Sequence, residues 1–166
     1  MDPNPLRDVK LFAGASAEDL DKLTGLIEEC FLAKDGILFY EGQLGSTLYV
    51  IVSGSVVVTK SVGGDNQHRI DIGQIGPGDV IGDMSLVRDQ PRSCTVQALE
   101  NSEFLALSTH RLGQIRHANL ELWTLILTNS VNILSSRLER MNDALSRRLA
   151  EEPKNTFVRA LLGMSR

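Results

Sequence analysis

The spacing of apolar residues near the start of the chain predicts a helix over residues 16–29. Leu20, Leu23 and Ile27 recur at helical intervals and would form one apolar stripe. Ser16 can cap the free amides at the start of such a helix, and Asp19 follows three residues later, in the position of a capping-box partner.

From Phe31 to about Ser108 the pattern changes to short β-like runs separated by glycines. The predicted strands lie within 36–42, 47–54, 55–61, 68–75, 94–99 and 103–108, and "GGDN" at 63–66 suits a turn between two of them. Short, evenly spaced strands without intervening helices favour an antiparallel sandwich, jelly roll or barrel over a βαβ sheet. We therefore predict a mainly β fold with flanking helices: an antiparallel β-roll (double-stranded jelly roll) with an N-terminal helix and a long C-terminal helix.

Helical spacing returns near Thr109, with a short segment at 109–117 and a long one at 119–150. The long helix carries an apolar heptad seam that comprises Leu120, Leu127, Val131, Leu134, Leu138, Met141 and Leu145. A second apolar stripe lies off this seam and comprises Trp123, Ile126 and Ile133. A helix of about 30 residues is about 45 Å long, more than one small roll can cover. We predict a parallel homodimer through 119–150; a helix packed wholly on its own domain is the alternative.

These patterns divide the chain into three predicted parts. Residues 1–118 form the β-roll with its N-terminal helix, 119–150 the long helix, and 151–166 a short tail. Pro153 is expected to end the long helix, because proline cannot continue one, and 155–164 could form one more short helix.

Composition and charge limit the classes of partner. The chain has 166 residues, of which 42% are hydrophobic and 23% charged, as in an ordinary folded domain. Its net charge of −4 argues against direct binding to nucleic acid. No apolar run approaches the roughly 18 residues of a membrane span, and the acidic, proline-broken start is unlike a secretory signal. Cys30 and Cys94 lack metal-ligand spacing; a buried, reduced pair in a cytoplasmic protein is expected.

The stretch 76–96, "GPGDVIGDMSLVRDQPRSCTV", gathers hydrogen-bond donors. Gly82 lets the backbone approach a partner, and the short turn from Asp83 begins with free amides that suit an anion. Arg92, braced by Pro91, adds a forked cation suited to phosphate, and Ser93 adds a hydroxyl. Asp83 fits such a site only if the ligand also presents hydroxyls, as a ribose does. The alternative is an Asp83–Arg92 salt bridge that closes a surface loop.

The stretch also resembles a known family motif. Ile81–Gly82–Asp83–Met84–Ser85–Leu86, followed by Arg92–Ser93–Cys94–Thr95–Val96, is similar to the phosphate cassette of the cyclic nucleotide-binding domain. That domain is shared by catabolite-activator-type regulators, protein kinase A regulatory subunits and cyclic nucleotide-gated channels. Residues 11–23, 36–58 and 96–108 resemble its entry helix, glycine-punctuated strands and closing strands, so the resemblance covers roughly 10–145.

The resemblance implies a cyclic nucleotide ligand, cAMP or cGMP, and no metal. The ligand-binding residues would be Ile81, Gly82, Asp83, Met84, Ser85, Arg92, Ser93 and Cys94. The base would be capped from the long helix, where Arg140, Met141 and Asn142 are candidates. Two residues depart from the family pattern: Asp83 replaces a ribose-binding Glu and is one bond, about 1.5 Å, shorter, and Cys94 replaces an Ala. Ser93 does not decide between the two nucleotides.

We therefore expect a regulatory sensor that binds a cyclic nucleotide and signals through its long helix to an unidentified downstream protein. The alternative is a degenerate fold that no longer binds ligand and serves as a dimerisation and protein-interaction module. An enzyme is not expected, because His68, His110 and His117 form no His–x–His pair and no nucleophile constellation is present. The residues after Pro153 are too few for a helix-turn-helix, so a stand-alone sensor without a DNA-binding domain is expected.

Overall fold

Two four-stranded antiparallel sheets form the β-roll. The computed structural model describes residues 4–62, 65–86 and 90–151, with the side chains of 65–67 and 150–151 excepted. In these ranges the strands are β1 (Ile27–Leu32), β2 (Ile37–Phe39), β3 (Thr47–Ser53), β4 (Val56–Val62), β5 (Asp65–Ile75), β6 (Val80–Ile81), β7 (Thr95–Ala98) and β8 (Ser102–Ser108). One sheet has the order β1-β8-β3-β6 and the other β2-β7-β4-β5. The predicted antiparallel β-roll is confirmed.

Apolar side chains from both sheets form the core of the roll. Strand residues alternate between the two faces of a sheet, so every second residue can point inward. The core cluster consists of Phe39, Ile51, Val56, Val58, Ile81, Val96 and Phe104, all less than a tenth exposed. Because Ile81 belongs to this cluster, the short strand β6 is held firmly at the point where the candidate site begins.

The first helix is shorter than predicted. α1 spans Ala17–Thr24, with the backbone amide of Asp19 donating to the Ser16 hydroxyl at 3.1 Å as expected of a cap. The prediction of helix up to residue 29 is wrong, because Ile27 begins β1 and pairs with Leu107 of β8. Helical spacing of Ile27 with Leu23 was a coincidence that sheet pairing overrides.

Two helices follow the roll, as the sequence predicts. α2 spans Thr109–Ala118 and α3 spans Leu120–Glu151. Asn119 separates them: its side-chain oxygen accepts from the backbone amide of Leu122 at 3.0 Å, and its amide group donates to Asp19 at 2.8 Å. The side-chain amide of Asn129 donates to the carbonyl oxygens of Leu11 and Ala13, so the first turns of α3 are tied to the N-terminal segment.

The chain divides into two compact units, Met1–Ser130 and Val131–Arg166. In the second unit the seam side chains of Val131, Leu138, Met141 and Leu145 are each more than half exposed. Pro153, the segment 155–164 and nearly all of the predicted tail lie outside the described residues, as do residues 63 and 64 of the predicted turn. The three-part division of the chain stays a prediction. Within the described ranges, no helix combines the length and the apolar character required to cross a membrane.

Candidate functional site

The candidate site begins at a glycine that follows β6. Gly82 has a left-handed φ of +81°, and a four-residue 3₁₀ helix, Asp83–Leu86, follows it. A Cβ at Gly82 would collide with the Arg92 guanidinium and stand 2.8 Å from the carbonyl oxygen of Thr47. Glycine is therefore needed here for both its conformation and its lack of a side chain. Asp83 and Ser85 are buried, whereas Met84 is exposed.

Arg92 crosses the site from a segment without regular structure before β7. Its backbone is tied to the loop after β2: its amide donates to the Gln43 carbonyl at 2.9 Å, and its carbonyl accepts from the Gly42 amide at 2.8 Å. The residue as a whole is only 7% exposed. The guanidinium carbon lies 4.3 Å from the ring centroid of Phe39, a cation–π contact that holds the planar group over the core.

The hydrogen bonds of the guanidinium leave part of it unpaired. Nη2 donates to the Thr47 carbonyl at 2.6 Å and Nη1 donates a long bond, 3.4 Å, to the Ser85 hydroxyl. The Nε–H is buried and has no protein acceptor. Burying a polar group without a partner costs about 1–3 kcal/mol, and such groups often mark a functional role. Burial also lowers the pKa of Arg92 from its ordinary value, though arginine stays protonated at neutral pH.

This arrangement differs from a surface salt bridge. Asp83 and Arg92 are both buried, at 3% and 7% exposure. The hydrogen bonds that orient the Arg92 side chain go to Thr47 and Ser85. The geometry therefore favours a buried guanidinium held in a fixed orientation over an ion pair that closes a surface loop.

Four residues of the site were missed from the sequence. Gly45 leaves room for the guanidinium, because a Cβ there would lie 3.0 Å from Arg92 Nε and Nη2. Thr47 contributes its backbone carbonyl. Phe39 and Tyr49 contribute their rings, whose centroids lie 4.3 and 6.0 Å from the guanidinium carbon of Arg92. Glycine at 45 is a visible signal within "EGQLGSTLY", but a backbone acceptor such as that of Thr47 has no signature in the sequence.

Ser93 and Cys94 follow Arg92 directly. Ser93 is exposed, and its hydroxyl contacts the sulfur of Met84 at 3.8 Å. Cys94 packs against the core cluster, and burial raises the pKa of its thiol, which is therefore protonated at neutral pH. Cys30 and Cys94 are free, as predicted, but half-buried rather than buried, because both lie at the edge of the core cluster.

The proposed base cap lies apart from these residues in the chain. Arg140, Met141 and Asn142 are exposed residues of the second unit, and Arg140 Nε donates to the Ser136 carbonyl at 3.2 Å. Their role as a cap stays a prediction. Across the described ranges, no group of three or more His, Cys, Asp or Glu residues is placed to hold a metal ion.

Comparisons with known proteins identify the family. A family model of the cyclic nucleotide-binding domain matches residues 29–119, a range that contains the site. The cyclic AMP receptor protein of Thermus thermophilus is 30% identical over 157 residues, 94% of this chain and 69% of that protein. Human cGMP-dependent protein kinase 2 is 32% identical over 98 residues, which are 59% of this chain and 13% of the kinase. A crystal structure of a cyclic nucleotide-binding domain from Methylobacillus flagellatus gives a TM-score of 0.77 at 27% identity, over 87% of this chain and 80% of that one. The chain belongs to the cyclic nucleotide-binding domain family.

Proposed function

We propose that this chain binds a cyclic nucleotide, cAMP or cGMP, and acts as a regulatory sensor. The observation that carries the proposal is the Arg92 guanidinium, which is buried, oriented by Phe39 and Thr47, and left with an unpartnered Nε–H. A phosphate oxygen is the acceptor that a guanidinium prefers, and a charge-assisted bond would offset the cost of burying that donor.

Each cassette residue has a proposed role in holding the ligand. Arg92, the Ser93 hydroxyl and the backbone at Gly82 would hold the cyclic phosphate, and the Ser85 hydroxyl would help to orient Arg92. Asp83 would accept a hydrogen bond from the ribose 2′-hydroxyl, directly or through a water. Ile81, Met84 and Cys94 would line the wall of the site. The closeness of Gly82 and Ser85 to Arg92, and of Met84 to Ser93, supports these roles.

The ligand would act on the long helix. We propose that Arg140, Met141 and Asn142 cap the base of the bound nucleotide. Ligand binding would then shift the helix 119–150 between two positions relative to the roll. An unidentified downstream protein would recognise one of these two positions. Hydrogen exchange across α3 should then change when the ligand saturates the chain. Unchanged exchange throughout the helix would exclude this route.

A homodimer through 119–150 is part of the proposal. Val131, Leu138, Met141 and Leu145 are each 55–60% exposed at seam spacing, which supports a helix partner for this face. A second copy of the same helix offers the matching heptad pattern. The two free cysteines support a cytoplasmic location.

Calorimetric titration with cAMP and with cGMP tests the function. The relatives bear names that refer to both nucleotides, so both ligands are needed. Saturable heat from at least one of them is the expected result. No heat from either at millimolar concentration would favour the degenerate dimerisation module, which the buried arginine and its unpartnered donor argue against.

A further inference from the structure

A cation on β4 contacts the backbone of the segment that carries Arg92. Lys60 Nζ donates to Glu41 Oε1 at 2.6 Å and to the carbonyl oxygen of Ser93 at 2.7 Å. Lys60 lies outside both cassette segments, 81–86 and 92–96, and its side chain is 46% exposed. The contact joins the strand β4 to the residue that directly follows Arg92.

Glu41 extends this connection. Its Oε2 accepts from the backbone amide of Ser61 at 2.9 Å, and its own backbone amide donates to the Thr95 hydroxyl at 2.9 Å. The side chain of Glu41 is 23% exposed. Glu41 therefore links β4 to the start of β7, three residues after Arg92. We refer to Lys60 and Glu41 together as the Lys60–Glu41 bridge.

The backbone at Arg92 and in the three residues after it thus depends on a few contacts. Residues 90–94 have no regular secondary structure. Two backbone bonds join Arg92 to Gly42 and Gln43, and the bridge adds contacts at Ser93 and Thr95. The side chain of Arg92 can meet a ligand in a productive geometry only if its Cα is held in place, because a misplaced cation loses directional bonds.

We propose that Lys60 is a positioning residue for ligand binding, acting with Glu41 to hold the Arg92–Ser93 backbone. This inference rests on the proposed function, because the ligand is the cyclic nucleotide of the same site. Lys60 acts through Ser93 and Glu41 and makes no contact with the ligand.

The variant Glu41→Gln separates positioning from simple charge. Removing a negative charge near an anion site should tighten binding if long-range electrostatics alone matter. Positioning predicts the opposite, because the neutral amide introduced by Glu41→Gln holds Lys60 less firmly than a carboxylate does. We expect Lys60→Met to weaken cAMP or cGMP binding about tenfold, Glu41→Gln to weaken it about threefold to fivefold, and Lys60→Arg to retain most of the affinity.

The experiment combines calorimetric titration with local hydrogen exchange of the ligand-free chain. The Gly42 and Arg92 amides, which bond to Arg92 and Gln43 respectively, should exchange faster in Lys60→Met and return towards wild type in Lys60→Arg. Lys22→Met is the matched control, because Lys22 pairs with Glu18 at 2.7 Å on α1 and should change neither readout.

Each result decides the inference. Weakened binding in both bridge variants, with faster local exchange, supports it. Tighter binding in Glu41→Gln, or unchanged exchange at Gly42 and Arg92 in Lys60→Met, overturns it. If the wild-type chain binds neither nucleotide, the proposed function fails, and the exchange measurement alone still shows whether Lys60 positions this backbone.

Discussion

The Arg92 guanidinium donates a 2.6 Å hydrogen bond to the backbone carbonyl of Thr47. Thr47 begins β3 in one sheet, while Arg92 leads into β7 in the other. The side chain of Arg92 therefore connects the two sheets of the roll at the site itself. A ligand that binds this guanidinium acts at a point to which both sheets are attached.

Replacement of Arg92 should weaken ligand binding strongly without unfolding the chain. Arg92→Ala removes the guanidinium group. Arg92→Lys leaves an ammonium group that lacks the planar set of donors needed to bond to Thr47 and to a ligand at the same time. We expect at least about a hundredfold loss of affinity for Arg92→Ala and about tenfold for Arg92→Lys, measured by calorimetry. Arg111→Ala, which removes an exposed partner of Glu28, is the control and should bind normally. Equal affinity in Arg92→Ala and wild type would refute the site.

A methyl group at residue 45 should displace the guanidinium. In Gly45→Ala the added Cβ lies 3.0 Å from Arg92 Nε and Nη2, so the side chain must move. Because a flexible side chain can yield, we expect stability to fall by less than about 1 kcal/mol while affinity falls about tenfold. Gly73→Ala is the matched control, since its Cβ would meet nothing within 4 Å. Similar affinities in the two variants would show that the position of the guanidinium does not matter.

Asp83 is predicted to recognise the ribose hydroxyl. Asp83→Ala should weaken binding of cAMP about tenfold and leave binding of 2′-deoxy-cAMP nearly unchanged, because only the former presents the 2′-hydroxyl. Because Asp83 is buried, its replacement could also disturb the structure of the site. Such a disturbance would lower the affinities for both ligands equally, so the difference between the two losses reports on the 2′-hydroxyl alone. An equal loss for both ligands would show that Asp83 supports the fold rather than the ribose.

The Lys60–Glu41 bridge predicts an acid-dependent stability. The hydrogen bond from Lys60, together with the Ser61 amide, lowers the pKa of Glu41 to about 2. Protonation of this carboxylate is thus easier in the unfolded chain, and its contribution is present above about pH 4.5 and lost as the pH falls towards about 2. Glu41→Gln should show a shallower decline of unfolding free energy over that window. Above pH 5, the unfolding free energies of wild type and Glu41→Gln should depend on pH with equal slopes. Equal slopes below pH 4 as well would contradict the lowered pKa of Glu41.

The exposed seam of α3 predicts a specific effect on association. Leu138 is 59% exposed at a seam position, and Leu138→Asp should shift the chain to a monomer in sedimentation equilibrium, because a buried unpaired charge is costly at a helix interface. Ser136→Asp introduces the same charge at an exposed position off the seam and should remain dimeric. A wild-type chain that is monomeric at high micromolar concentration would exclude the seam as an interface.

The sequence was most informative where functional residues are contiguous. The segments 81–86 and 92–94 could be identified as a candidate site because the glycine and the side chains that would bind a ligand follow one another along the chain. Six of the eight strands in the described ranges could be predicted from glycine-bounded β-branched runs, but β1 and the two-residue β6 could not. Residues 27–29 could not, because Ile27 fits helical spacing with Leu23 and only pairing with β8 decides its state.

The supports of Arg92 were beyond sequence reasoning for a different reason. The acceptor on Thr47 is a backbone atom, which every residue possesses, and Phe39 looks like any other core residue. Lys60 and Glu41 are 19 residues apart in the chain, and they meet only because the fold brings β4 beside the loop that follows β2. Such contacts follow from tertiary packing, so no local pattern marks them.

The Arg92 Nε–H gives the most direct test of the central claim, since it is a side-chain proton with its own NMR resonance. It is buried and without a protein acceptor. With cAMP or cGMP at saturation, we predict that this resonance moves downfield and that its exchange with water slows, because a phosphate oxygen accepts its proton. A resonance that stays in place and exchanges at its original rate at saturation would contradict the assignment of Arg92 as the phosphate-binding group.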